Sequence, residues 1–191
     1  MPVRTLIPTS NTTPDQGGTL AVTGNSNTGH ASTNAAANVT ALAPSGANSA
    51  DQAKSCRWSS FQSPPVGEQI ASIRLKFTWA AQSTIVETPA ADGSADANAT
   101  FVIEYSLNNG SSWTAVTSQS GVFNTGASEN IALTASQNIS QVQVRDRMDT
   151  EADAVAGTVD NSVAQASVTA EISSIQLELT TAFIVPPVLI T

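Results

Sequence analysis

The alternation of apolar and polar positions is clearest in the middle of the chain. Ile73, Leu75, Phe77 and Trp79 alternate with Arg74, Lys76 and Thr78, the period-two signature of a strand with one wet face. Phe101, Ile103, Tyr105 and Leu107 repeat the pattern against Glu104 and Ser106, with Val102 the exception on the polar side. Asn108-Asn109-Gly110 follows, and the chain resumes at Trp113 and Ala115. Asn-Gly between alternating runs predicts a hairpin, because a primed turn needs positive φ where Asn and Gly tolerate it. Further strands are predicted over 130–134, 142–146 and 168–179. In the last of these Val168, Ala170 and Ile172 share one parity, while Ile175, Leu177 and Leu179 share the other. Such a slip at Ser173-Ser174 requires a bulge or a bend, such as a strand crossing between two sheets at a sandwich corner.

The flanks are less patterned. Residues 1–18 carry Pro2, Pro8, Pro14 and the Gly17-Gly18 pair, which block a helix and interrupt sheet bonding, so an extended arm is expected. Residues 19–56 read as a loop-rich entry. It holds a short strand over Thr19–Thr23, then a long loop over 24–50 with one strand at Asn38–Leu42 and a hint of a helical turn at Ala35-Ala36-Ala37. The core proper begins near Arg57. The end of the chain, 182–191, is an apolar tail containing Pro186-Pro187, a segment expected to pack on its own domain or on a neighbouring subunit. Together these elements predict one all-β domain over 19–181, an antiparallel β-sandwich with jelly-roll topology, between an N-terminal arm and a C-terminal tail. No repeat of fixed period speaks for a propeller or solenoid.

Composition narrows the function. Charged residues make up only 12% of the 191, against a typical ~25%. Seven basic and fifteen acidic residues give a net charge of −8. The basic residues are scattered, and the one close pair, Arg145 and Arg147, has Asp146 between them. That distribution argues against nucleic acid and against anionic membranes. No apolar run approaches bilayer length, and MPVRTLIPTS lacks the pattern of a secretory leader, so no membrane insertion is expected. Asn-x-Ser/Thr triplets begin at Asn11, Asn38, Asn98, Asn109 and Asn138 and read as by-products of an Asn-, Ser- and Thr-rich composition. Cys56 is the only cysteine. It is expected as a small buried side chain beside Trp58, although Lys54 and Arg57 lie close enough in sequence to activate a thiol.

Candidate chemistry is sparse. Any Ser-His-Asp or Cys-His arrangement would have to use His30, the single histidine. Its segment GNSNTGHAS is unpatterned, so His30 is expected in a solvated loop. Soft-metal binding fails for want of Cys and His. Two acidic stretches, Asp92–Asn98 and Asp149–Asp153, offer oxygens for calcium but lack EF-hand or nonapeptide spacing, and are expected to be solvated loops. Glu104 is the one carboxylate that a sandwich hydrolase would recommend, against its reading as an exposed strand residue. Trp58, Phe61 and Phe123 are left as possible stacking platforms for a glycan, Trp58 being better placed in the core. No catalytic, cofactor-binding or metal-binding residue is assigned, and no cofactor is called for.

Residues 106–113, Ser-Leu-Asn-Asn-Gly-Ser-Ser-Trp, resemble the Asp-box of sialidases and related propellers, with Asn108 where the Asp belongs. In that family the box is a structural hairpin turn. The resemblance implies a tight hairpin with Trp113 anchored in the core. In overall character, with few charges, no leader, a Pro-punctuated arm and an apolar tail, the chain resembles the jelly-roll head-decoration and tail proteins of tailed bacteriophages. That resemblance implies a non-enzymatic virion structural protein, assembled in the host cytoplasm. It would be a capsid decoration (cement) protein or a comparable tail component, whose partners are other copies of itself and a shell or tail protein. The alternative is a carbohydrate-binding or adhesive sandwich at a virus or cell surface. A hydrolase on the same scaffold ranks last.

Overall fold

The computed structural model describes residues 1–12, 21–23, 26–64 and 66–183. Its strands are β1 (Val3–Leu6), β2 (Pro8–Thr12), β3 (Ala21–Thr23), β4 (His30–Ala41), β5 (Ala47–Phe61), β6 (Glu68–Thr88), β7 (Ser94–Ser106), β8 (Thr114–Ser120), β9 (Asn124–Leu133), β10 (Gln143–Val155) and β11 (Ser162–Phe183). They form two antiparallel sheets. The first runs β3-β4-β11-β6-β9, with β1 also paired to β11, and the second runs β2-β5-β10-β7-β8. Counted from β4, the first sheet orders its strands first, eighth, third, sixth, and the second orders them second, seventh, fourth, fifth. This is a jelly-roll sandwich.

The runs with large apolar residues fold as their period requires. Ile73, Leu75, Phe77 and Trp79 of β6 are all buried, as are Phe101 and Ile103 of β7. The expected long loop over 24–50 is corrected: most of it is β4 and the start of β5. Ala35, Ala37, Val39 and Ala41 alternate inward along β4, so the alanine run is strand and not a helical turn. Alanine carries a weak hydrophobic signal, yet between two closely spaced sheets it is the side chain that fits. The acidic stretch Asp149–Asp153 is corrected for the same reason. It lies within β10, where Thr150, Ala152 and Ala154 face the core and Asp149, Glu151 and Asp153 face outward.

The core is therefore uneven. Trp58, Phe77, Phe101, Ile103, Met148 and Leu177 fill one half, and Ala37, Ala97, Ala99, Ala152, Ala164 and Ala166 the other. The phase slip in β11 is a bulge. Ser174 has φ 57° and the register with β6 shifts between Ser173 and Gln176. The strand stays in the first sheet and does not cross to the second, and the slip brings Ile175, Leu177 and Leu179 inward.

Residues 3–12 are extended and add a strand to each sheet. Val3–Leu6 pair with 177–180 of β11, and Pro8–Thr12 pair with 57–61 of β5, so the chain crosses between the sheets at Ile7. Pro8 opens an edge strand, where its missing N–H is tolerated. Leu6 is buried, and the Arg4 guanidinium reaches Glu68 Oε1 at 2.7 Å. Glu68 also accepts the Thr181 hydroxyl. The bonds from Arg4 and Thr181 hold its carboxyl below the usual carboxylate range. Residues 13–18 of the predicted arm, residues 19 and 20 of the predicted first strand, and the predicted tail beyond Phe183 lie outside the described residues.

Candidate functional site

Two groups of polar side chains stand out, one between the sheets and one on the outside of the second sheet. The inner group begins with a tight turn. Ser26 and Gly29 exchange backbone hydrogen bonds, and Ile175 N–H, just past the β11 bulge, donates to Thr28 O at 3.1 Å. Gly29 has φ 144°, and a Cβ there would come within 2.1 Å of Ile172 O. Only glycine allows so close an approach. The docked turn delivers His30, the first residue of β4, into the core, where it is 2% exposed. The Trp58 indole donates to Ser26 O at 3.1 Å, and its ring lies 5.4 Å from the imidazole. The expected solvated loop histidine is thus a buried one.

Asp146 comes from the opposite sheet. It faces inward on β10, between Val144 and Met148 in the buried parity, directly across from Cys56 of β5. One carboxylate oxygen lies 2.7 Å from His30 Nε2, and the other accepts the Cys56 backbone N–H at 3.0 Å. A ring nitrogen of His30, the Cys56 sulfur and a carboxylate oxygen of Asp146 lie within 4.8 Å of one another. The His30 and Asp146 side chains are 0% and 1% exposed. His30 Nδ1 has no hydrogen-bond partner among the described residues, which costs about 1–3 kcal/mol for a buried polar atom. Along the sequence His30 and Cys56 stand apart, and Asp146 shows only as the residue between two arginines. The available signal was parity: Val142, Val144, Asp146 and Met148 share one phase, so an acid stood in line with core residues.

On the outer face, Arg145 of β10 donates from Nε and Nη2 to Glu104 Oε2 of β7 at 3.1 and 2.8 Å. Arg147 Nε lies 3.7 Å from the same oxygen. Glu104, expected as an exposed strand residue, has a side chain only 12% exposed. The Arg145 guanidinium sits 4.0 Å above the Trp113 ring, a favourable cation–π stack. Trp113 is half-buried on this face and is not anchored in the core, which corrects that expectation. Its position follows from the turn. Asn108 Oδ1 accepts Ser112 N–H at 2.9 Å and the Ser106 hydroxyl at 3.0 Å, doing the work expected of an Asp. Asn109 and Gly110 take φ 59° and 81°. The connection spans 107–113 and releases Trp113 before β8 begins.

Further along β10 the outer face changes character. Asp51, Asp96, Asp149, Glu151 and Asp153 are all exposed. Glu151 stands directly across from Asp51, and Asp153 from Asp96. None of the five forms an ion pair among the described residues. Partial burial and the nearby Asp51 charge raise the Asp149 carboxyl above its ordinary value. The two acidic stretches, read separately from the sequence, are therefore neighbours on β7 and β10. Only Asp92 and Gly93 of the first lie in a turn. There Asp92 accepts the Thr158 hydroxyl at 2.8 Å, and its carboxyl is lowered by bonds from Thr158.

The aromatics set aside as glycan platforms are not on the surface: Trp58, Phe61 and Phe123 are all buried. Positive φ at Ser60 breaks the alternation that would have turned Trp58 and Phe61 to opposite faces. Among known proteins, no family model matches the chain and no curated protein matches it.

Proposed function

We propose that this chain is a non-enzymatic structural component of a virus particle, a capsid decoration protein or a comparable tail part, that works by binding other proteins through its surface. The observation that carries the reading is the outer face of the second sheet, where Glu151 opposes Asp51 and Asp153 opposes Asp96. Like charges directly across a strand pair are destabilising. A local rule broken without compensation inside the fold is the mark of a surface kept for something else. A basic counter-surface on a shell or tail protein supplies the missing charge. The jelly-roll architecture is common in capsid proteins, which adds an argument by analogy. The non-enzymatic part rests on His30 and Asp146, which are spent on each other between the sheets, out of reach of a substrate.

The test is to add purified protein to particles assembled without it. The reading expects saturable binding by the wild type and none by a folded Glu151→Lys/Asp153→Lys variant. Equal binding by both, or by neither, would refute it.

A further inference from the structure

The inner cluster points to something the surface reading does not use. The chain has one histidine and one cysteine, and the fold brings both to one point, together with a carboxylate that faces inward. The three residues come from three strands, β4, β5 and β10, in both sheets. All three are sealed from solvent, at 2%, 0% and 1% exposure.

We propose that His30, Cys56 and Asp146 form a binding site for a single divalent ion of the zinc class, taken up as the domain folds. This sets aside the expectation that soft-metal binding fails for want of Cys and His, because the fold gathers the one of each beside a carboxylate, and the donor set selects that class. A thiolate beside an imidazole and one carboxylate is a borderline-soft combination suited to zinc, whereas calcium and magnesium require a shell made mostly of oxygen. Charge agrees. A buried site must be nearly neutral, and two positive charges are balanced by one thiolate and one carboxylate with the imidazole neutral. Tetrahedral zinc with bonds of ~2.0–2.3 Å sets its ligand atoms roughly 3.3–3.6 Å apart. The observed donors lie within 4.8 Å, with His30 Nε2 and Asp146 Oδ2 at 2.7 Å. Small side-chain rotations therefore suffice for three of the four positions, and a water entering with the ion would take the fourth.

A hydrogen-bonded brace between the sheets accounts for less. It uses the same contact, His30 Nε2 and Asp146 Oδ2 at 2.7 Å, but not the nearness of the sulfur to both. The surroundings also hold the donors in place. Cys56 N–H fixes Asp146 Oδ1, the Trp58 ring flanks the imidazole, and the turn docked on the β11 bulge sets the entry of His30. Such outer contacts are what orient ligands in metal sites. Binding releases the thiol proton and couples to folding.

The experiment uses the full chain, unfolded and refolded with Zn²⁺ or Co²⁺ alone, then desalted and assayed for bound metal. The inference expects about one equivalent retained and, in the cobalt form, a thiolate-to-metal charge-transfer band. Cys56→Ser, nearly isosteric, should fold by circular dichroism, lack that band and bind at least about tenfold more weakly. Asp146→Asn should also weaken binding. If Asp146→Asn fails to fold, the cysteine variant decides. Folded wild-type protein that retains neither ion, or equal retention by wild type and Cys56→Ser, overturns the site while leaving the surface reading intact.

Discussion

The two halves of β10 carry the same kinds of side chain and treat them in opposite ways. From Gln143 to Met148 each charged side chain has a partner. Arg145 and Arg147 share Glu104 on the outside, and Asp146 meets His30 on the inside. From Asp149 to Asp153 acids meet acids, Glu151 facing Asp51 on β5 and Asp153 facing Asp96 on β7. The core beneath divides in the same place, with Trp58, Phe101 and Met148 under the paired half and Ala97, Ala99 and Ala152 under the acidic half. One half is built for stability, with large side chains and satisfied charges. The other accepts a thin core and like-charge contacts, which isolated folding would not favour.

Substitutions can break that contrast, and the largest effects belong to the paired half. Phe101→Ala removes a fully buried ring and should cost about 3–5 kcal/mol in denaturant unfolding. Ala166→Leu on the thin side should cost less, about 1–3 kcal/mol, through overpacking. A larger loss at Ala166 than at Phe101 would mean the halves have been ranked wrongly. Asp146→Ala leaves His30 and the Cys56 N–H buried without their partner. It should cost about 3–5 kcal/mol, a loss that calorimetry can read.

How much of this was legible beforehand follows from what each strand buries. Ile73–Trp79 and Phe101–Ile103 announced themselves because bulky apolar residues alternate with polar ones. The β11 bulge was visible as a change of parity at Ser173-Ser174. Strand β4 was not, because its inward residues are mostly alanine and its outward ones small and polar. The inner cluster depends on pairing residues 116 positions apart, His30 with Asp146, a contact no local pattern encodes. The like-charge rows were equally hidden, since Asp96 and Asp153 become neighbours only through the register of β7 with β10.

Smaller effects sharpen the contrast on the acidic side. Asp51→Asn removes a like charge opposite Glu151 and should stabilise the chain by about 0.2–1 kcal/mol, seen as a raised Tm. The pH dependence is subtler. The Asp149 carboxyl is raised on folding, so its penalty is full at neutral pH. That penalty is relieved as pH falls through the raised value toward the ordinary one. Glu68 is lowered and works in the other direction. Its support of β1 is present above the ordinary carboxylate value and lost as pH falls through the folded one. Wild-type stability should therefore gain slightly on mild acidification, and Asp149→Asn should abolish that gain. A melting series across acid pH checks both signs.

The most direct measurement is binding of the Glu151→Lys/Asp153→Lys variant to particles or shell protein, run beside the wild type and quantified by sedimentation. The acidic rows should prove to be a contact surface, so the wild type should co-sediment and the variant, folded and at least as thermostable, should stay in the supernatant. Co-sedimentation of the variant at wild-type affinity would contradict the account.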